Sequence, residues 1–249
     1  MVIRTVAIIP ARYESSRFPG KVLADLCGKP MIRHVWEAAS LANFDDVIIA
    51  TDDMRIKEAC REFTNRIELT PPNLLSGSDR CAVAAGRLDE KPDIVFNIQC
   101  DEPMLEPGNL TRLLGQFAES DFHVGTMIRK IDNPNELFNP NNVKVIVGTD
   151  GRGLYFSRNA IPFIRDIKPI EWINYHQYWR HIGVYAYKYD VLAKFHELDQ
   201  SATEIAEKLE QLRLLENGAL FYCMETEMEL IAIDTEDDLK EARRVMGCV

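Results

Sequence analysis

The sequence predicts an α/β fold: a mixed, largely parallel sheet with helices on both faces, interrupted by a small β-rich excursion. Three observations carry this. Residues 6–9, 47–50 and 94–98 are short apolar runs of the kind that form strands buried on both faces. Between them, residues 31–42, 54–63 and 80–88 show helical spacing with polar outer faces. After Phe122 the alternation gives way to a run of strands joined by turns.

The expected strands there are 122–128, 143–147, 153–156 and 181–187, with Thr149-Asp150-Gly151 as one of the turns. A loop rich in Pro and Trp, residues 164–179, interrupts them. Residues 203–216 read as one strong helix (Ile205, Leu209, Leu212, Leu215), closed by Asn217-Gly218. Strands near 220–224 and 230–233 and a helix from Thr235 complete the chain. The expected organisation is a nucleotide-binding core of 1–125 with 201–249, and an excursion of 126–200.

Lys and Arg number 29 against 39 Asp and Glu, a net charge of −10, which disfavours a general nucleic-acid binder because phosphate backbones reward a basic face. It leaves room for a local basic pocket. Apolar runs fall well short of the ~18 residues of a membrane span. The apolar start, 1–10, runs straight into charged sequence without a cleavage-type segment, so cytoplasm is the expectation and membrane insertion is not. Six cysteines lie far apart with no C-x-x-C pair, which argues against a zinc ribbon or a disulfide framework. They read as small buried hydrophobes in a reducing compartment.

In doubly wound sheets, ligands bind outside the carboxyl ends of the strands, so the loops after Ile9, Ile98 and Ile233 should converge. The first reads Pro10-Ala11-Arg12-Tyr13-Glu14-Ser15-Ser16-Arg17-Phe18-Pro19-Gly20-Lys21. Two arginines, a lysine and two hydroxyls after a buried strand suit a polyphosphate, although the loop is neither a Walker A nor a G-x-G-x-x-G sequence. The second, Gln99-Cys100-Asp101-Glu102-Pro103, offers a carboxylate at a central strand end, well placed for Mg²⁺ or equally for capping a turn. The third carries Asp234-Thr235, which taken singly is an ordinary helix N-terminus. Together, a cationic loop and two strand-end carboxylates describe a site for Mg²⁺ and a nucleoside triphosphate.

Ile8-Ile9-Pro10-Ala11-Arg12, Arg17-Phe18-Pro19-Gly20-Lys21 and Gly28-Lys29-Pro30-Met31 resemble a sugar nucleotidyltransferase. Ser76-Gly77-Ser78-Asp79-Arg80, Gln99-Cys100-Asp101-Glu102-Pro103, Asn142-Val143-Lys144-Val145, Tyr155-Phe156-Ser157-Arg158, His181-Ile182-Gly183-Val184-Tyr185, Lys208-Leu209-Glu210-Gln211-Leu212-Arg213 and Asp234-Thr235 follow in order. The ordered set resembles the 3-deoxy-manno-octulosonate (KDO) cytidylyltransferases, over residues 6–243.

The resemblance implies a Rossmann-like nucleotidyltransferase fold that joins CTP to an acidic eight-carbon sugar, releasing pyrophosphate, for lipopolysaccharide assembly. It implies that Ala11, Arg12, Ser16, Lys21, Arg80 and Asp101 face the nucleotide, and that Asp101 and Asp234 hold Mg²⁺. Lys21, Asp101, Asp234 and Arg12 would carry the catalysis. Gln99, Arg158, His181, Tyr185, Glu210 and Gln211 would line the sugar site, with Arg158 and His181 supplying positive charge for the sugar carboxylate. The excursion would form a homodimer. Two departures stand out: Cys100 where the family usually has Gly, and Leu230-Ile231-Ala232-Ile233 with Glu236 where glycines and a Pro are usual. The alternatives are a KDO relative such as its 8-amino form, a cytidylyltransferase for another acidic sugar such as sialic acid, and a nucleotide-binding regulator without turnover.

Overall fold

A computed structural model of the chain describes residues 3–15, 17–228 and 231–248. The chain runs β1 (Thr5–Ala11), β2 (Asp25–Leu26), β3 (Lys29–Pro30), α1 (Met31–Ser40), β4 (Asp46–Thr51), α2 (Met54–Cys60) and β5 (Ile67–Leu69). It continues through α3 (Gly77–Gly86), β6 (Ile94–Ile98), α4 (Pro107–Ala118), β7 (Val124–Ile131), α5 (Pro134–Phe138), β8 (Lys144–Val147) and β9 (Arg152–Ser157). The last elements are β10 (Tyr178–Lys188), α6 (Tyr189–Ala193), α7 (Ala202–Glu207), α8 (Gln211–Glu216), β11 (Phe221–Glu225) and α9 (Glu236–Val245).

One sheet of order β5-β4-β1-β6-β10-β7-β11-β9-β8 organises the molecule. It is parallel over β5-β4-β1-β6, and β10 enters antiparallel to both β6 and β7. The expected strands of 126–200 therefore extend the core sheet instead of building one of their own. In β1 the pleat sends Ala7 and Ile9 toward the side of α1 and α4, and Val6 and Ile8 toward α3. All four are fully buried, the reason that run reads as continuously apolar.

Several expectations need correction. The single helix of 203–216 is two short ones, α7 and α8, because Lys208 adopts a left-handed backbone (φ 54°) and breaks the ladder. Residues 231–233 form no strand, and Leu230 lies outside the described residues. The Ile233 N–H instead makes a lone bond to the Asp101 carbonyl at 2.9 Å. The expected loop 164–179 contains a 3-10 segment, Pro169–Asn174, and yields to β10 at Tyr178. The twelve-residue α4 has no counterpart in the sequence reading, although Pro107 at its start and buried Leu110, Leu113, Leu114 and Phe117 give it a clear helical face.

The cysteine expectation is also revised. Cys27 and Cys248 are joined in a disulfide, with Cα atoms 5.4 Å apart across 221 residues of chain. The reason is tertiary: α9 lays Leu239 and Ala242 against Leu26 and Met31, which brings the C-terminal end onto the β2–β3 hairpin. Sequence spacing carries no trace of that contact. The other four cysteines are free and buried. Titration in denaturant without reductant should therefore count four thiols of six, rising to six after reduction; six before reduction would refute the bond.

Candidate active site

The sheet's geometry gathers the loops. β1 and β6 are parallel, so the segments that follow them leave the same edge. Because β10 is antiparallel and pairs Val184 with Ile98, its residues 178–183 run on past the end of β6 to that edge. A cavity of about 850 Å³ opens there.

The loop after β1 is folded back on itself by the Gly20 N–H, which donates to the Tyr13 carbonyl at 2.8 Å. Only glycine serves at position 20: its φ is +71°, and a Cβ would sit 3.0 Å from the Tyr13 ring. The Arg55 guanidinium lies over that ring, 3.3 Å from its centre. The fold-back aims Lys21 inward. Its Nζ donates to Asp101 at 2.9 Å, to Asp234 at 3.0 Å and to the Ile233 carbonyl at 3.1 Å. Burial works against the ammonium, yet the two carboxylates outweigh it and hold the Lys21 pKa above the usual lysine value. Three loops far apart in sequence thus meet at one nitrogen.

Capping does not explain the two aspartates. Thr235, not Asp234, caps α9: its hydroxyl accepts from the Asp238 N–H at 3.2 Å, while the Asp238 carboxylate accepts from the Thr235 N–H at 2.8 Å. The Asp234 carboxylate is left to Lys21 and to Arg17, the latter at 2.9 Å. Asp101 likewise spends its carboxylate on Lys21.

Of the other nucleotide-side residues, Arg12 is exposed and lines the cavity, whereas Ala11 is buried at the end of β1. Arg80 is buried beneath it, donating to Asp52 at 2.9 Å and to the Thr70 hydroxyl. Ser16 lies outside the described residues.

The expected sugar-side residues Gln99, Arg158, His181, Tyr185, Glu210 and Gln211 all line the same cavity. The break at Lys208 is what turns Glu210 and Gln211 inward. Glu210 accepts from the Ser78 hydroxyl and N–H at 3.1 and 3.3 Å, and burial raises its pKa against those bonds. Gln211 is 2% exposed, and its Nε2 has no partner among the described residues. A buried donor left open on a cavity wall is a group awaiting a ligand.

One role needs correction. The surroundings of His181 work against the expected positive charge: burial, aided by neighbouring Arg180, pushes its pKa down to about 3. It is a neutral imidazole, its Nε2 3.0 Å from the Thr126 hydroxyl, with its ring against Phe156 and Tyr185. Arg158 spends three donors on backbone carbonyls: Nε to Glu207 at 2.6 Å, Nη1 to Pro140 at 3.1 Å and Nη2 to Lys208 at 3.3 Å.

Sequence reasoning passed over Arg180 and Glu102, which also line the cavity. Glu102 is buried with Oε2 unpartnered among the described residues, and burial, then Asp101, push its pKa up to about 8. Cys100 is buried, its thiol 3.4 Å from the Pro10 carbonyl and pushed far up by burial and then Asp101, so it is an unreactive thiol that fills space beside the loop.

A parallel sheet edge bearing a cationic loop, paired carboxylates and open polar donors is the arrangement of α/β nucleotidyltransferases. The fold is similar to a putative glucose-1-phosphate thymidylyltransferase of Bacillus anthracis, with a TM-score of 0.69 over 98% of this chain and 96% of that one, at 15% identity. A family model described as cytidylyltransferase matches residues 6–230. Curated relatives include 3-deoxy-manno-octulosonate cytidylyltransferases of Parabacteroides distasonis, 42% identical over 97% of both chains, and of Cytophaga hutchinsonii, 42% identical over 95% of both. The structure of a CMP:2-keto-3-deoxy-manno-octonic acid synthetase complexed with CTP matches with a TM-score of 0.89 and 38% identity over 98% of each chain. The chain belongs to the 3-deoxy-manno-octulosonate cytidylyltransferase family, and it is a nucleotidyltransferase enzyme.

Proposed function

We propose that this enzyme transfers CMP from CTP to the anomeric hydroxyl of KDO in the cytoplasm, giving CMP-KDO and pyrophosphate for lipopolysaccharide assembly. The anomeric oxygen attacks the α-phosphorus in line; its bond to phosphorus forms as the bond from the α-phosphorus to the bridging oxygen breaks, pyrophosphate leaves with that oxygen, and the hydroxyl proton passes to water. The protein's work is positioning and charge neutralisation. The observation that carries this is the meeting of Lys21 with Asp101 and Asp234 under the cavity, in a chain of this family. Arg12 and Lys21 neutralise the leaving pyrophosphate. Gln99, Glu210 and Gln211 order the sugar hydroxyls, and the open Nε2 of Gln211 is a donor for one of them. Arg80 braces the nucleotide side through Asp52.

Among the described residues no three acidic, His or Cys side chains gather into a complete metal cage. Two carboxylates within 3.0 Å of one cationic nitrogen nevertheless suit Mg²⁺, a hard ion usually held by one or two carboxylates and substrate phosphates. Asp101 and Asp234 would hold it, and when bound it would acidify the attacking hydroxyl and neutralise phosphate charge.

The same reading includes a homodimer formed through the 126–200 segment. Phe163 and Tyr175 are 74% and 65% exposed there, and Phe163 and Phe138 both pack on the Trp172 ring, apolar side chains of the kind a second copy would cover. Sedimentation should give twice the chain mass at micromolar concentration, and Phe163→Asp should shift it to one; a monomeric unaltered protein would remove the dimer from the proposal. No described helix is long and apolar enough to cross a membrane.

The test of function is direct. Purified protein with CTP and Mg²⁺ is offered KDO, 8-amino-KDO and sialic acid, and the nucleotide-sugar product and pyrophosphate are measured. KDO should be the preferred acceptor; preference for either of the others reassigns the substrate, and no pyrophosphate with any of them leaves the reading wrong.

A further inference from the structure

An acidic sugar brings a carboxylate into a cavity that must also take a triphosphate, so the cations of its walls have to be shared out. Lys21 and Arg80 are already set against carboxylates. Arg158 is committed differently. A carboxylate prefers two parallel N–H donors along one edge of a guanidinium, and in Arg158 the Nε–Nη2 edge already serves the Glu207 and Lys208 carbonyls.

Arg12 and Lys208 line the cavity too, but both are exposed, and a lysine has no planar fork; Arg180 is enclosed and has one. Its side chain is 16% exposed, and its single ion pair runs from Nη1 to Glu136 Oε1 at 3.3 Å. That same oxygen takes Arg129 Nη2 at 2.6 Å. Two guanidiniums therefore divide one carboxylate at this corner. Among the described residues, Arg180 Nε and Nη2 have no acceptor, so the bidentate edge that Arg158 lacks is open here. A charge kept in a largely desolvated wall without a full partner is costly unless a ligand completes it. Glu102 lines the same cavity, near enough for Arg180 to favour its charged form, yet no ion pair joins the two among the described residues.

We infer that Arg180 receives the carboxylate of the acidic sugar, with Arg158 holding the wall from behind. This rests on the proposed function and assigns its charge recognition to a residue of β10. Glu136 and Arg129 then serve to fix the plane of the Arg180 guanidinium, and the neutral His181 beside it contributes shape and hydrogen bonding.

The test compares KDO with its neutral C1-amide as acceptors, with CTP saturating. The unaltered protein should prefer the acid strongly. Arg180→Met should lower kcat/KM for the acid by ~30-fold or more, the scale of losing a charged hydrogen-bonded contact, and should lower use of the amide much less, so that the acid-over-amide preference collapses. Arg180→Lys should recover only part, since lysine lacks the planar fork. CTP binding by calorimetry, unchanged, reports an intact fold; should Arg180→Met fail to bind CTP, Arg180→Gln carries the comparison. A variant that binds CTP and keeps the acid-over-amide preference overturns the inference and leaves the proposed function standing. An unaltered protein that turns over no acidic sugar overturns both.

Discussion

Asp101→Asn and Asp234→Asn should each lower turnover by at least ~10²-fold, the scale of losing one electrostatic contact to the transition state. Asparagine keeps the shape of the side chain and removes its charge. Lys21 has its pKa held up by these two carboxylates against the pull of burial, so losing either one loosens the lysine as well as the oxygen donor set. A purely structural role predicts something else. If Asp234 acted as a helix cap, Thr235→Ala would be as harmful, because Thr235 makes the capping bonds of α9. Thr235→Ala should instead cost about 1 kcal/mol of stability and leave turnover nearly intact. Pyrophosphate release at saturating CTP, KDO and Mg²⁺ separates the cases. Near-normal turnover in either asparagine variant would remove that residue from the catalytic set.

The parts of the fold legible in the sequence are those where local chemistry and tertiary environment agree. β1, β4 and β6 are buried on both faces, so apolar runs announce them, and the doubly wound rule then brings the loops after β1 and β6 to one edge. Lys21 and Asp101 are visible for that reason; Asp234 follows no strand, and only the family resemblance points to it. The break at Lys208 was not visible. Ile205, Leu209 and Leu212 keep helical spacing straight across it, and only contacts from elsewhere reveal the interruption: Arg158 takes up the Glu207 and Lys208 carbonyls that a continuous helix would have used. The charge state of His181 was hidden too, because it depends on a burial that strand alternation does not specify. Arg180 carries no signal of its own. Its meaning comes from sharing Glu136 with Arg129, three residues on three elements. The Cys27–Cys248 bond is the extreme case, a contact between chain ends created by the packing of α9.

Arg213→Met should destabilise the protein by about 3–5 kcal/mol, the cost of stranding one partner of a buried ion pair, and lower the Tm by roughly 10 °C. Arg213 and Glu204 are 2% and 4% exposed, joined by Nε and Nη2 to the two carboxylate oxygens at 2.8 and 2.6 Å. The guanidinium also lies 4.2 Å from the Phe195 ring centre. This pair ties α7 to α8 across the break, so it fixes the direction in which Glu210 and Gln211 point. Burial alone would raise the Glu204 pKa, but the Arg213 bonds outweigh it and hold the carboxyl below the usual glutamate range. A folded pKa below the unfolded one means the contribution is present above the unfolded value and lost as pH falls through the folded one. In Arg213→Met the sign reverses, because an unpaired buried carboxylate has its pKa raised. Protonation then relieves the variant, and its Tm deficit should narrow between about pH 7.5 and pH 5. The double change Glu204→Gln with Arg213→Met should recover part of the loss, since Glu204 then leaves no buried charge unpaired, while Asp79, 3.8 Å from Arg213 Nη1, still loses its cation. Below its melting range the single variant should show a raised KM for the sugar with CTP affinity kept, the mark of a disturbed Glu210–Gln211 wall. A Tm deficit that stays constant across this pH range would show that the pair does not hold the break.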